Sequence, residues 1–186
     1  MALTTLDPKT ALIVIDLQKG IVTYPTVHPI DGVVKRARLL ADAFRERGLP
    51  VVLVNVAGQA PGRTERPRHP EPFPAGWTDL IPGLDRQASD IAVTKRTWGA
   101  FASTDLEKQL KALDVTQVVV IGVATGTGVE STARQAYEAG FNVTLAIDAM
   151  TDMRAEAHDY GIANVFPRLG ETGTTQEIVD LLERKA

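Results

Sequence analysis

The chain has 186 residues, a formal net charge of −3, and 44% hydrophobic and 23% charged residues, an ordinary composition for one compact domain with a sizeable core. It contains no cysteine, which excludes disulfide bonds, thiolate metal sites and a cysteine nucleophile. No basic cluster is long enough to follow nucleic-acid phosphates, and no apolar run is long enough to span a bilayer. Residues 1–7 lack the basic and apolar regions of a signal peptide. We therefore expect one cytoplasmic domain over residues 1–186 that binds neither nucleic acid nor membrane.

The hydrophobic pattern alternates between buried strands and amphipathic helices along the chain. Short apolar runs predict strands at 11–15, 51–56, 90–94, 118–123 and 142–147, with a last short strand at 165–169. Apolar residues at helical spacing predict helices at 31–47, 103–113, 129–139, 155–165 and 174–182. This alternation is typical of an α/β protein with a single doubly wound, parallel sheet.

Polar residues at the predicted helices suggest how some of them begin. Ser103 is the expected N-cap of the second helix. Thr174 or Thr175 is the expected N-cap of the last helix, where Glu177 is placed to complete a capping box. We interpret His158, a lone histidine on a helix face, as a capped or surface residue and not as a catalyst.

The segment 57–87 is too long and irregular for a plain connection between two strands. It is rich in proline, glycine and arginine, and loops of this length in compact domains usually have a function. We predict that it forms a lid or a wall over a site, with Phe73 and Trp77 either anchoring it to the core or supporting a subunit contact. His69 has no partner at metal-ligand spacing, so we expect no metal site.

The stretch 118–132, VVVIGVATGTGVEST, is the predicted centre of the chain. Its apolar start indicates a strand buried on both faces. The residues 124–128 that follow are small enough for the backbone to approach a ligand closely. The N–H groups at the start of the next helix can hold an anion or a developing oxyanion at the carboxyl edge of the sheet. A tight turn without any ligand would use the same small residues, so other positions must decide between the two interpretations.

Three polar residues follow buried strands and should meet at this edge of the sheet. Asp16 ends the first strand, and it is either a cap or a functional carboxylate; we favour function because no helix follows at once. Lys95 follows the third strand, and it is either a solvated charge or an ion-pair partner of Asp16. Asn55 near the end of the second strand could face the same edge.

Three separated motifs support a more specific interpretation: ALIVIDLQ at 11–18, KRTWGAF at 95–101 and GVATGTGVEST at 122–132. In this order and spacing the chain resembles the isochorismatase-like hydrolase superfamily, which includes isochorismatases, nicotinamidases and carbamoyl-group amidohydrolases. The resemblance covers nearly the whole chain. It implies a six-stranded, mostly parallel sheet flanked by helices, a small-molecule substrate, no cofactor, and a homodimer or homotetramer.

The resemblance also implies which residues act. In the amidohydrolase branch an aspartate, a lysine and a cysteine form the catalytic set; Asp16 and Lys95 match the first two, and Gly128 stands at the cysteine position. Isochorismatases also carry glycine there and hydrolyse a vinyl ether without a covalent intermediate. The resemblance further implies a cis peptide bond at 123–124, N–H groups near residues 124 and 128 that bind a carboxylate, and substrate contacts from Gln18, Trp98, Phe101, Val123, Ala124 and Thr125. Gln18 could face either the pocket or the helix behind it.

Three functions are compatible with this residue set. The first is a thiol-free hydrolase that uses Asp16 and Lys95 on a vinyl ether or a similar small substrate. The second is a binding protein that kept the pocket without catalysis, and the third is an amidase altered by Gly128 at the cysteine position. The presence of both Asp16 and Lys95 favours catalysis over binding alone.

Overall fold

The computed structural model describes residues 3–66 and 72–184. In this part of the chain the strands are β1 (Thr10–Ile15), β2 (Val51–Val56), β3 (Ile91–Lys95), β4 (Gln117–Val123), β5 (Asn142–Thr151) and β6 (Glu171–Gly173). The α-helices are α1 (Ile30–Glu46), α2 (Leu106–Ala112), α3 (Glu130–Glu138), α4 (Ala155–Tyr160) and α5 (Thr175–Glu183). The strands form one sheet in the order β3-β2-β1-β4-β5-β6, and every neighbouring pair is parallel.

Helices cover both faces of this sheet. Leu40 of α1 packs on one face together with Leu12 of β1, and α5 joins the same apolar cluster. Leu106 of α2 packs on the other face together with Ile13 of β1, and α3 joins that cluster. Alternate residues of β1 are therefore buried in opposite layers, which explains its unbroken apolar sequence. The doubly wound α/β fold is confirmed, and its parallel strands bring their carboxyl ends to one edge.

The predicted start of the last helix is confirmed in detail. Thr174 is the N-cap of α5, and its hydroxyl accepts a hydrogen bond from the Glu177 N–H at 3.3 Å. The Glu177 carboxylate in turn accepts from the Thr174 N–H at 2.7 Å. The two residues thus form a complete capping box.

Two local predictions were wrong. Ser103 is not an N-cap, because α2 begins at Leu106 after Asp105; its hydroxyl instead accepts a hydrogen bond from the Arg96 N–H at 3.0 Å and so folds the loop after β3. Residues 165–169 do not form a strand. They include a 3-10 turn, Phe166–Arg168, in which Pro167 could not donate to a sheet in any case.

Other element ends differ from the predicted ones. β5 does not stop before Asp148 but continues to Thr151, after a register shift against β4 between Val120 and Gly122. The Asp148 carboxylate accepts a hydrogen bond from the Thr175 N–H at 2.7 Å, so this acidic residue supports the start of α5.

A π-helical turn ends one predicted helix and precedes another. The helix predicted at 155–165 is α-helical only to Tyr160 and then forms a π-helical turn, Gly161–Val165. The helix predicted at 129–139 is preceded by a similar π-helical turn, Thr125–Val129, which we call the central turn. Such turns are rare and often occur at functional sites.

Candidate active site

Asp16 lies directly after β1 at the carboxyl edge of the sheet. Its N–H donates to the Val54 carbonyl of β2 at 2.9 Å, and its own carbonyl accepts from the Gln18 N–H at 2.8 Å. The Asp16 backbone is left-handed, with φ of 53°, a conformation that aspartate tolerates better than most residues. This tight turn holds the carboxylate at the sheet edge, where Asp16 is only 7% exposed.

Lys95, the last residue of β3, reaches the same carboxylate from two strands away. Because β2 lies between β1 and β3 and neighbouring strands are about 4.8 Å apart, the long lysine side chain has to cross the end of β2. Its Nζ donates to Asp16 Oδ2 at 2.8 Å and to the Thr97 carbonyl at 3.2 Å. Lys95 is 1% exposed. The predicted partners thus form a buried ion pair.

The Asp16 carboxyl is shifted toward its protonated form. Burial raises the pKa of Asp16 from 3.8 to about 6, although the charge and the hydrogen bond of Lys95 lower it. Desolvation is therefore the stronger of two opposed effects. Lys95 binds Oδ2, whereas Oδ1 is buried and has no hydrogen-bond partner among the described residues. Oδ1 is therefore the natural place for a proton.

The central turn lies beside this ion pair. The peptide bond between Val123 and Ala124 is cis, as the resemblance implied. An ideal Cβ built on Gly128 would lie 3.2 Å from Asp16 Oδ2 and 3.0 Å from Ile15 Cγ2. A side chain at position 128 would therefore be crowded, and glycine allows the backbone to approach the Asp16 carboxylate closely. Among the described residues, no backbone hydrogen bond outside the regular elements uses the N–H group of Ala124, and Gly128, near the end of the central turn, borders the cavity described next.

A cavity of about 180 Å³ opens onto these residues. Its lining consists of Asp16, Ile21, Val56, Gly58, Gln59, Phe73, Trp77, Lys95, Trp98, Thr127 and Gly128. The rings of Phe73 and Trp77 are stacked, with centroids 4.2 Å apart and planes at 8°. The described part of the segment 57–87 is therefore a wall of the cavity, as predicted.

The Trp77 side of this wall is anchored to the body of the protein. The Trp77 ring lies so close to Gly20 that an ideal Cβ on Gly20 would be 2.1 Å from Trp77 Nε1. The buried Gln18 side chain donates to the carbonyls of Trp77 and Val56 at 3.2 and 3.1 Å, and it accepts from the Val56 N–H at 2.7 Å. Of the two alternatives for Trp77, the structure thus supports the anchor to the core.

The structure brings together only part of the predicted set. Asp16, Lys95, Trp98 and Gly128 line the cavity, and Trp98 is 68% exposed at its border. The other predicted contacts are buried outside this lining: Gln18, Phe101, Val123, Ala124 and Thr125. Phe101 faces Phe141, with ring centroids 5.9 Å apart. Gln18 does not line the cavity, but it hydrogen-bonds the carbonyl of Trp77 in the cavity wall. Asn55 faces that wall as well, since its side-chain amide donates to the Thr78 carbonyl at 2.8 Å.

The sequence did not identify two residues of this region: Thr127, within the central turn, and His158, which packs against it. Thr127 lines the cavity, although its small side chain gave no signal beyond a tight turn. His158 is not a surface residue; it is 5% exposed, and its Nδ1 lies 2.8 Å from Thr125 Oγ1. Burial and the neighbouring His28 lower the pKa of His158. Only the spatial approach of α4 to the central turn shows this contact.

The described residues contain neither a metal-binding cluster nor a membrane-spanning helix. Over residues 3–66 and 72–184, no group of three or more His, Cys, Asp or Glu side chains could hold a metal ion. In the same ranges no helix has the length and apolarity needed to cross a membrane. His69, considered above as a metal ligand, lies outside the described residues.

Comparison with known proteins agrees with the fold and the motifs. The Isochorismatase domain family matches residues 10–177. The isochorismatase family protein YwoC of Bacillus subtilis is 40% identical over 182 residues, 92% of this chain and 93% of that protein. YecD of Escherichia coli O157:H7, of the same family, is 41% identical over 180 residues, 93% and 96% of the two chains. The structure of an isochorismatase family protein from Burkholderia thailandensis has a TM-score of 0.92 at 40% identity, covering 96% of this chain and 98% of that one. The chain therefore belongs to the isochorismatase family, and it is a hydrolase.

Proposed function

We propose that this hydrolase cleaves a vinyl ether on a small anionic molecule, isochorismate or a compound of the same kind, with Asp16 as the general acid. The observation that carries the proposal is the state of the Asp16 carboxyl. Its Oδ2 is held by Lys95, its buried Oδ1 has no partner among the described residues, and its pKa is raised to about 6. A carboxyl group that holds a proton near neutral pH can serve as an acid.

The reaction follows from these groups without a covalent intermediate. Asp16 transfers its proton to the terminal carbon of the vinyl ether, which leaves an oxocarbenium ion and a carboxylate neutralised by Lys95. Water attacks the oxocarbenium carbon and returns a proton to Asp16. The hemiketal then collapses into an alcohol and a ketone, which is pyruvate when the substrate is isochorismate. One water is consumed and the protein is unchanged.

Charge and size support a small anion as the substrate. When Asp16 is protonated, the buried Lys95 gives the site a net positive charge, and the N–H groups near Ala124 and Gly128, as the resemblance implies, would add hydrogen-bond donors. A bound anion would in turn favour the protonated form of Asp16. The cavity of about 180 Å³ is smaller than the roughly 300–1,000 Å³ of sites for drug-sized ligands, so the substrate should be compact.

A specific observation keeps an amidase as the second candidate. A Cβ at position 128 would lie 3.2 Å from Asp16 Oδ2, so a cysteine there would place its thiol close to the carboxylate and to Lys95. Gly128 would then mark the loss of a nucleophile. The third candidate, binding without catalysis, has no evident need for a buried ion pair whose desolvation is unfavourable.

The test is to incubate the purified protein with isochorismate and follow pyruvate in a coupled assay. The proposal predicts pyruvate release by the unmodified chain. The variant Gly128→Cys is assayed in parallel for ammonia release from a panel of amides, with Gly128→Ala as the control for the added Cβ. Amide hydrolysis that appears only in Gly128→Cys, with no pyruvate from the unmodified chain, would replace the first candidate by the second.

We also propose that the protein forms a homodimer or homotetramer, which rests on the resemblance of its motifs, and that it works in the cytoplasm, the location expected from the sequence alone. Light scattering coupled to size-exclusion chromatography tests the oligomeric state. A single species near the mass of one chain, 20.1 kDa, would contradict the oligomer. Immunodetection in separated cell fractions tests the location.

A further inference from the structure

The central turn has a support on the side away from Asp16. Thr125, its first residue, is fully buried, and its hydroxyl lies 2.8 Å from Nδ1 of His158 on α4. The next N–H group, that of Gly126, donates to Asp152 Oδ2 at 2.8 Å. Asp152 directly follows β5 and His158 lies in α4, so the short stretch 152–158 holds the beginning of the turn by two hydrogen bonds.

The end of the same turn carries the groups that face the reaction. Gly128 adjoins the Asp16 carboxylate, and its carbonyl accepts from the Thr132 hydroxyl at 2.7 Å. That hydroxyl also accepts from the Ala100 N–H at 3.2 Å, in the loop that follows Lys95. The turn is thus fixed at both ends, and a shift at Thr125 would move the N–H group of Gly128 relative to Asp16.

We propose that His158 is a positioning residue, which holds the central turn in register with Asp16 through its hydrogen bond to Thr125. The inference rests on the proposed function, in which the N–H groups of Ala124 and Gly128 bind the anionic substrate. His158 is too deeply buried behind the turn to line the cavity of Asp16, so it acts through Thr125 and not on the substrate. Misplacement of reacting groups by about 1 Å can lower a rate about 100-fold.

The surroundings of His158 make this role testable by chemical rescue. On its other side His158 lines a separate cavity of about 570 Å³, together with His28 and the half-exposed Arg36. The ring of His28 lies 4.7 Å from that of His158. Since this cavity reaches the surface at Arg36, free imidazole can enter the space left by His158→Ala and restore a nitrogen beside Thr125.

The first measurement is the amide spectrum of the protein by ¹H–¹⁵N NMR, which requires no substrate. We expect His158→Ala to shift the Gly126 and Gly128 resonances, and imidazole to return them toward their original positions. Thr125→Val, which keeps the shape but removes the hydroxyl, should shift the same resonances. In the double variant His158→Ala/Thr125→Val, imidazole should have no effect. His28→Leu is the matched control, because the same ring type in the same cavity makes no hydrogen bond to the turn among the described residues.

The second measurement is steady-state kinetics with isochorismate. We expect His158→Ala to lower kcat at least about tenfold and to change KM by no more than about twofold. The reason is that losing the His158 hydrogen bond would disturb the alignment of the central turn with Asp16 more than it would weaken substrate binding. His158→Asn, whose amide can occupy the place of Nδ1, should recover most of that loss. Unchanged Gly128 resonances in both His158→Ala and Thr125→Val, or imidazole rescue that persists without the Thr125 hydroxyl, would overturn the inference. If isochorismate is not a substrate, the proposed function fails alone, and the NMR outcome still decides the role of His158.

Discussion

Replacement of Lys95 by methionine should move the pH dependence of catalysis to higher pH. Methionine keeps most of the side-chain volume but removes the ammonium group that hydrogen-bonds Asp16 Oδ2 at 2.8 Å. Burial already raises the pKa of Asp16 to about 6 against the influence of Lys95, so the loss of the cation leaves desolvation unopposed. A close opposite charge typically lowers a carboxyl pKa by about 1–3 units. We therefore expect the pKa of Asp16 in Lys95→Met to lie above its value of about 6 in the unmodified protein.

The assay is the pH profile of kcat/KM, which reports the ionisation of the free enzyme. Because the acid must be protonated, kcat/KM of the unmodified protein should fall about tenfold per pH unit above about pH 6. In Lys95→Met the absolute rate should be lower, since the carboxylate left after proton transfer loses its partner, but the descending limb should begin about 1–3 pH units higher. A limb that stays in place or moves to lower pH would refute the assignment of Asp16 as the acid.

The same pKa shift predicts how stability depends on pH. Between pH 3.8 and about 6 the folded protein binds the Asp16 proton more tightly than the unfolded chain. The contribution of this group to the free energy of unfolding is therefore fully present below that window and falls by about 3 kcal/mol as the pH rises through it. Urea unfolding at a series of pH values measures the slope. Asp16→Asn, which cannot titrate, should lack this component; an identical slope in both proteins would contradict the shift.

Three further substitutions test structural parts of the account. Thr174→Ala removes the capping box of α5 and should lower the free energy of unfolding by about 1 kcal/mol in urea; no loss would mean that the cap is dispensable. Gly20→Ala should raise KM, since its Cβ would lie 2.1 Å from the Trp77 ring and displace the cavity wall. If KM and the tryptophan fluorescence were both unchanged, the role of Trp77 as part of the cavity wall would be contradicted. Asp90→Asn weakens the 2.6 Å ion pair with Arg45 and should destabilise by about 1.5–3 kcal/mol in urea, with kcat unaffected.

The sequence predicted the sheet edge well because parallel strands align their carboxyl ends. Because 11–15 and 90–94 are predicted strands, Asp16 and Lys95 are expected at the same edge of the sheet, and an ion pair between them is one of the two alternatives for Lys95. The balance between burial and the lysine charge could not be predicted. It depends on how completely the surrounding chain excludes water from Oδ1, which only the packed structure determines.

Other parts of the site depend on contacts between segments far apart in the chain. The wall formed by Trp77 requires the bare backbone of Gly20, and nothing near either residue indicates that they meet. A lone histidine on a predicted helix face indicates a capped or surface residue, yet in the structure His158 is buried and its ring contacts Thr125 of the central turn. Likewise β5 continues past Asp148, with a register shift against β4 that the sequence did not indicate. Local sequence patterns do not predict such contacts between segments that are far apart in the chain.

The most direct test of the central claim is the rate of pyruvate formation from isochorismate at pH 6, compared between the unmodified protein and Asp16→Asn. Asp90→Asn is the matched control, because Asp90 is also a buried, ion-paired aspartate but precedes β3 at the opposite edge of the sheet. We predict release by the unmodified protein and by Asp90→Asn, and its loss in Asp16→Asn. Undiminished release by folded Asp16→Asn, or none by the unmodified protein at any concentration, would contradict vinyl-ether hydrolysis by an Asp16 acid.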